Sequence, residues 1–307
     1  MKKFIYKCAI FSFLIIIVDF SFGIICKYLQ HNAKGGYTKA QYEAFKKQKA
    51  DILVLGSSRS ICHYVPQILE DSLKMSVYDC GMSANGIIFQ YPQLMTILDR
   101  HTPKIIIYEI LPDCDIYQGD NIKYLGALKR FYGNNQYVHK IYKELAPIES
   151  TKLISNLYKY NGEFIHIIRD FFKPSFIADR GFTPKYGQLT YTPIDDEPQD
   201  TTLIDNYKKS LLLKMIDICH KKNISLVFSA SPHYKTESFV RYNPIIQICK
   251  EQKIPFISFY NDPEISDSKK YFVDSKHMNI EGAKLFTLKF VNKLMTINDI
   301  STPITNY

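Results

Sequence analysis

Tryptophan is absent from the chain, and the seven cysteines form no C-x-x-C pair and no other spacing typical of a zinc site. Two of them flank the apolar N-terminus. The other five have apolar neighbours and are odd in number, so they cannot all pair and we expect buried thiols. These five are Cys62, Cys80, Cys114, Cys219 and Cys249. The sequence therefore predicts no metal site and no cofactor.

The chain also lacks the Lys and glycine spacing of a phosphate-binding P-loop and any recognisable nucleic-acid module. Its 307 residues carry a net charge of +9, which is spread along the chain. This spread predicts a solvated basic surface, with a basic face toward an anionic membrane or polymer as the alternative. A hydrophobic fraction of 46% and a charged fraction of 22% indicate a globular protein of one large or two small domains.

Residues 4–28 form the one long apolar stretch, with twelve Ile, Leu, Val or Phe residues between Ala9 and Cys26. These contribute about −5 kcal/mol to membrane insertion, against about +3 kcal/mol for Asp19 near mid-membrane. No A-x-A cleavage site follows, so the stretch predicts a single-pass anchor rather than a cleaved signal peptide. Lysines before the stretch predict a cytoplasmic N-terminus, with the remaining chain outside the cytoplasm.

Asp19 lies inside this stretch, where a carboxylate needs a partner, and one hypothesis is that this partner is a helix of another membrane protein.

We predict that the chain divides into a transmembrane anchor (1–28), a polar and partly helical stalk (29–50) and an α/β domain (51–307). Residues 117–200 break the pattern of that domain, since they are rich in Tyr and Phe. We predict a mostly helical insertion there. It is either a lid or substrate platform over the strand ends or a unit whose aromatic side chains pack its own core.

Elsewhere, short apolar runs alternate with helical patterns, which is typical of a parallel sheet with right-handed crossovers. The predicted fold is a three-layer α/β/α doubly wound sheet of about five parallel strands, flavodoxin-like in class. A last helix runs from about Ile280 to Met295. The predicted strands cover residues 52–55, 76–79, 104–109, 224–229 and 254–259.

The segment DILVLGSSRS places two serines where the first strand ends. Gly56 allows a sharp turn there, so Ser57 and Ser58 lie at the carboxyl edge, where open α/β sheets hold ligands. If the next turn is helical, its free N–H groups favour an anion such as the oxyanion of an acyl-transfer intermediate. A turn serine that caps the next helix is the alternative.

Asp274 and His277 are three residues apart, just before the last predicted helix. A nucleophilic serine needs a base that takes its proton, and the base needs a carboxylate that fixes its tautomer. The alternation of strands and helices brings both residues to the same edge as Ser58. We therefore expect Ser58, His277 and Asp274 to act together as nucleophile, base and orienting acid.

With these motifs the chain resembles the SGNH (GDSL-type) hydrolase superfamily. The first block of that family, Gly-Asp-Ser, matches Gly56, Ser57 and Ser58, and its last block, Asp-x-x-His, matches Asp274 and His277. The resemblance implies that Ser58, rather than Ser57, is the nucleophile. It is strongest to membrane-anchored members that handle cell-envelope polymers, such as the D-alanine transfer protein of teichoic acid systems, where Gly-Ser-Ser replaces Gly-Asp-Ser.

The resemblance covers roughly residues 50–115 and 223–296. It implies an oxyanion hole formed by the backbone N–H groups of Ser58 and Gly81, although Gly81 also suits a simple turn. The family's Gly-x-Asn-Asp block is missing its Asn here, since the third strand leads into Ile-Leu-Pro-Asp. Asn85 in the neighbouring loop is the replacement we predict, or the hole uses backbone groups alone.

His63 and His233 lie near the predicted strand ends. We expect each of them either to contact the substrate or to have a structural role.

The resemblance implies a membrane-anchored serine esterase or acyltransferase that acts outside the cytoplasm on O-acyl groups of envelope glycans or related esters. The alternative is a non-catalytic envelope-assembly protein with the same fold that binds a polymer or a membrane partner.

Overall fold

Five apolar runs form one sheet in the computed structural model, which describes residues 1–133, 135–191, 203–235 and 238–297. All neighbouring strands are parallel, and their order is β2-β1-β3-β4-β5. This order confirms the predicted α/β class and its flavodoxin-like topology, in which ligands bind where the strand order reverses, between β1 and β3. The strands are β1 (Ile52–Gly56), β2 (Val77–Asp79), β3 (Ile105–Glu109), β4 (Ser225–Ala230) and β5 (Phe256–Ser258).

Helices precede, connect and follow the strands. They are α1 (Lys2–His31), α2 (Gly36–Lys46), α3 (Ser58–His63), α4 (Pro66–Leu73), α5 (Ile87–Leu98), α6 (Pro112–Asp115), α7 (Gln136–Leu145), α8 (Pro147–Lys152), α9 (Asn156–Lys159), α10 (Phe164–Phe172), α11 (Asn206–Lys221), α12 (Asn243–Gln252), α13 (Pro263–Ser266) and α14 (Ile280–Met295). Short 3₁₀ segments cover Ile122–Phe131, Phe239–Tyr242 and Lys269–Tyr271.

Both faces of the sheet are covered, which makes three layers. Leu53 and Leu55 of β1 pack in the core that contains α5 and α11. Ile52 and Val54, which point the other way, pack in a second core with α14 side chains such as Phe286. Strands covered on both faces are apolar throughout, and this explains why β1 and β3 show no alternation of polar and apolar residues.

Helix α2 belongs to the globular domain, so the predicted stalk at residues 29–50 is wrong for this part of the chain. Phe45 is fully buried and stacks on Phe131 with ring centroids 3.8 Å apart. Gln41 donates from Nε2 to the carbonyl oxygen of Gly81, at 2.8 Å. The polar appearance of this segment hid an amphipathic helix whose apolar face completes the core.

The helical part of the predicted insertion packs against α5 and α1. Its aromatic side chains Phe131, Tyr142 and Tyr160 are buried. This burial favours the interpretation in which the aromatic side chains of the insertion pack a core. A later segment, residues 179–189, does reach the carboxyl edge of the sheet, where the N–H of Thr183 donates to the carbonyl of Ile61. Residues 192–202, which include the rest of the predicted insertion, lie outside the described residues.

Helix α1 is long and apolar enough to cross a membrane. Asp19, in its apolar stretch, finds its hydrogen-bond partners within the same chain. Its carboxylate accepts from the Ser155 hydroxyl at 2.6 Å and from the backbone N–H groups of Asn156 and Leu157, both at 2.9 Å. These contacts give the carboxylate partners within the chain and join α1 to α9.

Candidate active site

Ser58 stands at the carboxyl end of β1, as the first residue of α3. The turn before it depends on Gly56, whose φ is +143° and whose missing Cβ would lie 2.6 Å from the carbonyl oxygen of Glu109. Ser58 is partly exposed, whereas Ser57 is buried. The turn therefore presents the hydroxyl of Ser58, not that of Ser57, to solvent.

His277 and Asp274 reach Ser58 from the loop before α14. The Oγ of Ser58 lies 2.7 Å from Nε2 of His277, across 219 positions of the chain. Nδ1 of His277 lies 2.9 Å from both carboxylate oxygens of Asp274. The carboxylate can only accept, so Nδ1 carries the ring proton and Nε2 is free to accept the serine proton.

Local backbone contacts fix this loop. One oxygen of Asp274 also accepts from the backbone N–H groups of His277 and Lys276, at 2.8 and 2.9 Å. Burial raises the pKa of Asp274, but the hydrogen bonds and charge of His277 and these N–H groups outweigh it and lower the pKa to about 2. Asp274 is therefore ionised at neutral pH and holds His277 in the tautomer described above.

The predicted oxyanion donors differ in their availability. The N–H of Ser58, in the first turn of α3, has no acceptor within that helix. The N–H of Gly81 donates to Oδ1 of Asp79 at 2.7 Å, and the side-chain amide of Asn85 donates to the carbonyl of Ser83 at 2.9 Å. The single N–H of Gly81 is thus engaged within the protein, whereas the amide of Asn85, which has two N–H donors, uses only one of them. The Ser58 N–H and the second Asn85 N–H are the donors left among the three groups.

His63 and His233 are buried, which favours the structural role among the two roles considered for them. Nδ1 of His63 lies 2.7 Å from the hydroxyl of Ser231, and Nε2 accepts from the N–H of Met278 at 3.0 Å. Burial and nearby cations hold the pKa of His63 well below its usual value, so the ring is neutral. His233 stacks on Tyr260 with ring centroids 5.4 Å apart. Residues of neighbouring loops, Met278 and Tyr260, contact the two rings.

A buried ion pair lies directly behind the candidate nucleophile, and sequence reasoning missed it. Nε of Arg59 is 3.0 Å from Glu109, and both side chains are almost fully buried. Ser231, just after β4, donates its hydroxyl to Glu109 at 2.7 Å, and Tyr64 donates to the other carboxylate oxygen. In the sequence, the one sign of this ion pair is Glu109, a charged residue at the end of the apolar run KIIIYE.

This cluster of Arg59, Glu109, Ser231 and His63, here called the buried polar network, connects three strands with the histidine loop. Glu109 ends β3, Ser231 follows β4, and Arg59 is the third residue after β1. His63 extends the network from Ser231 to the N–H of Met278, the residue after His277. The network therefore fixes the backbone on both sides of the Ser58–His277 contact.

Two acidic residues complete the edge of the sheet. Asp79 is buried at the end of β2, and burial is the main reason that its pKa rises to about 8, although its contacts with Gly81 and Ser60 oppose the rise. Asp113, in α6 just after β3, is exposed and pairs with Arg241. Among the described residues, no group of three or more His, Cys, Asp or Glu side chains could hold a metal ion.

No family model and no curated protein matches the chain. Among solved structures, a Bacteroides fragilis protein described as a "putative acylhydrolase" is similar at a TM-score of 0.39 and 9% identity. The likeness covers 85% of this chain and 97% of that one. At this TM-score it carries no functional argument, so function is inferred from the contacts at the carboxyl edge.

Proposed function

We propose that the chain is a serine esterase or O-acyltransferase of SGNH type, anchored in the membrane by α1. The observation that carries the proposal is the contact of Ser58, His277 and Asp274, with successive distances of 2.7 and 2.9 Å. The chain brings them together from distant positions, and the serine is partly exposed. Such a hydrogen-bonded order of alcohol, imidazole and carboxylate activates a nucleophile.

In this mechanism Ser58 Oγ attacks the carbonyl carbon of an ester while Nε2 of His277 takes the hydroxyl proton. The N–H of Ser58 donates to the oxyanion that forms. When the tetrahedral intermediate collapses, His277 returns the proton to the leaving alkoxide and an acyl-Ser58 ester remains. Water or a sugar hydroxyl then attacks the acyl carbon, His277 takes its proton, and the alkoxide of Ser58 recovers that proton on leaving.

The substrate class we propose is an O-acylated cell-envelope glycan or a related ester. Lysines precede the apolar stretch of α1, which supports a cytoplasmic N-terminus and a catalytic domain outside the cytoplasm. Polymers that carry acyl esters are accessible on that side of the membrane.

A fluorophosphonate probe tests the proposal directly on the full chain in detergent. We expect covalent labelling that Ser58→Ala abolishes and that Ser57→Ala, the adjacent buried serine, leaves intact. Labelling that survives Ser58→Ala, or its absence from the wild-type chain at pH 7–8, would overturn the proposal. Adding a sugar alcohol as acceptor then separates hydrolysis from transfer, since transfer yields a new ester at the expense of free acid.

A non-catalytic envelope-assembly protein is the second candidate function. It is favoured by the internal hydrogen bond of Gly81, because this bond occupies one of the three expected oxyanion donors. Loss of one such donor typically costs about 2.7–4 kcal/mol in the transition state. Under this candidate the chain binds an acylated polymer without turning it over, and wild type and Ser58→Ala bind it equally.

A further inference from the structure

A basic pocket lies where α1, α2 and the insertion meet. Its cavity of about 270 Å³ is lined by four cationic side chains, Lys27, Lys46, Arg130 and Lys159. Glu163 approaches the guanidinium of Arg130 only to 3.8 Å. In the part of the chain that the structure describes, no carboxylate lines the cavity itself. This pocket, here called the α1 pocket, therefore holds an excess of positive charge.

Two buried donors of the α1 pocket have no acceptor among the described residues. They are Nε2 of Gln30 and Nε of Arg130. Gln30 is 6% exposed and Arg130 is 8% exposed, so the protein has removed both groups from most of the solvent. Buried donors are almost always satisfied, and an unsatisfied one costs about 1–3 kcal/mol. Both residues line the cavity.

The cations of the pocket also oppose one another. Partial burial lowers the pKa of Lys46, and the charges of Arg100 and Lys27 lower it further. Partial burial and the charge of Lys27 also lower the pKa of Lys159, although Asp19 opposes this shift. Lys27 therefore lies close enough to influence both amines. A bound anion would relieve this repulsion, since an opposite charge favours the charged form of each lysine.

The pocket has a defined place along α1. The apolar run from Cys8 to Cys26 is about 28 Å long at about 1.5 Å per residue, close to the hydrocarbon thickness of about 30 Å. Lys27 follows this run directly, and Gln30 lies one turn further. If α1 crosses the membrane, as the proposed function holds, these two residues lie in the layer of lipid headgroups.

Exposed apolar side chains adjoin the residues that contact α1 before Lys27, since Ile154 precedes Ser155 and Ile165 follows Phe164, which packs on Phe22. Asp19, about 12 Å before Lys27 along α1, binds the N–H of Leu157 and so fixes the depth of α9. Near it, Ile154 is 79% exposed, and Ile165 on α10 is 75% exposed. Apolar residues left open beside a membrane helix suit contact with lipid tails.

We propose that the α1 pocket binds the phosphate group of an anionic lipid headgroup in the leaflet on the side of the catalytic domain. Arg130 supplies a planar fork that matches phosphate oxygens, and the three lysines supply point charges around it. Gln30 donates a further hydrogen bond. The apolar surface of Ile154 and Ile165 contacts the acyl chains of the same lipid layer.

Lipid binding by the full chain in neutral detergent tests this inference. The probes are dioctanoyl phosphatidic acid, dioctanoyl phosphatidylcholine and inorganic phosphate, followed by native mass spectrometry. We expect saturable binding of one phosphatidic acid, with clearly weaker binding of the other two probes. The double variant Lys27→Gln/Lys46→Gln removes two exposed charges of the pocket and should weaken that binding about tenfold or more. The matched control Lys284→Gln/Lys293→Gln removes two exposed charges from α14 and should bind as wild type does.

Equal affinity of wild type and Lys27→Gln/Lys46→Gln for phosphatidic acid would overturn the site. Equal affinity for inorganic phosphate would overturn its assignment to a lipid, and equal affinity for phosphatidylcholine would overturn the need for an anionic headgroup. Fluorophosphonate labelling of Ser58 in the same samples separates this inference from the proposed enzyme. Labelling without lipid binding contradicts the pocket alone, and lipid binding without labelling contradicts the enzyme alone.

Discussion

Ser58 and Arg59 are neighbours in the chain but belong to regions of opposite character. Ser58 joins His277 and Asp274 in a partly exposed site, where a few hydrogen bonds leave the hydroxyl accessible. Arg59 turns inward to Glu109, where both charges are buried and hydrogen-bonded. The comparison shows that the two regions have different roles at one edge of the sheet. The exposed residues supply the reactive groups, and the buried residues beneath them hold the backbone in position. The two regions should therefore respond differently to substitution.

The largest expected effect is the loss of activity in His277→Ala. Without the base, ester turnover by the full chain should fall about 10³–10⁴-fold, which is about 4–5.5 kcal/mol in the transition state. Stability should change little, because the ring is partly exposed. Hydrolysis of p-nitrophenyl acetate and the thermal midpoint measure both. His220→Ala, an exposed histidine on α11, is the control, and a similar loss there would contradict the assignment.

Glu109→Ala should show the reverse pattern, with the main loss in stability. Removing the carboxylate leaves the guanidinium of Arg59 buried without its partner, which typically costs about 3–5 kcal/mol. Chemical denaturation measures this loss. The double variant Arg59→Met/Glu109→Leu removes both charges and should recover much of the stability. If Glu109→Ala and wild type have the same free energy of unfolding, the buried polar network does not stabilise the fold.

His63 lies between the two regions, so its variants should affect both to a moderate degree. His63→Asn can keep the contact with Ser231 but loses the acceptor for the N–H of Met278, at about 1–3 kcal/mol of stability. His63→Gln can reach that N–H and should lose less. Because His63 acts through the backbone next to His277, kcat should fall in His63→Asn while KM stays near wild type. A rise in KM alone would instead indicate substrate contact.

The smallest expected effect is the stability change in Asp274→Asn. The pKa of Asp274 is lowered from 3.8 to about 2, so ionised Asp274 stabilises the fold above about pH 4, and this contribution is lost as the pH falls through 2. The carboxylate is 37% exposed, and solvent screening reduces the contribution to about 1 kcal/mol. Unfolding of wild type and variant should differ at pH 7 and converge toward pH 2. A constant difference across this range would contradict the shift.

The sequence predicted the sheet, because each strand is a local apolar run between helical patterns. It also predicted the contact of Ser58 with His277, since strand ends on the same edge of a parallel sheet are close in space. It failed for α2, whose buried face is short and surrounded by lysines. It also gave no role to Glu109, the carboxylate at the end of β3 that accepts from Ser231.

The missed residues share one property, which is that their partners are far away in the chain. Arg59 meets Ser231 across 172 positions, and Asp19 meets Ser155 across 136. A charged residue in an apolar run looks unfavourable until its partner is known. Pattern reasoning can flag Glu109 and Asp19 as unusual, but it cannot say which donors satisfy them.

The sequence by itself determined the strands, the turn at Gly56 and the apolar length of α1, because backbone preference and hydrophobic periodicity act over neighbouring residues. Only the tertiary structure decided which polar groups are satisfied, which histidine faces solvent and which cations share a pocket. Those outcomes depend on burial and on distances between remote side chains, since the strength of a charge or hydrogen bond is set by its surroundings.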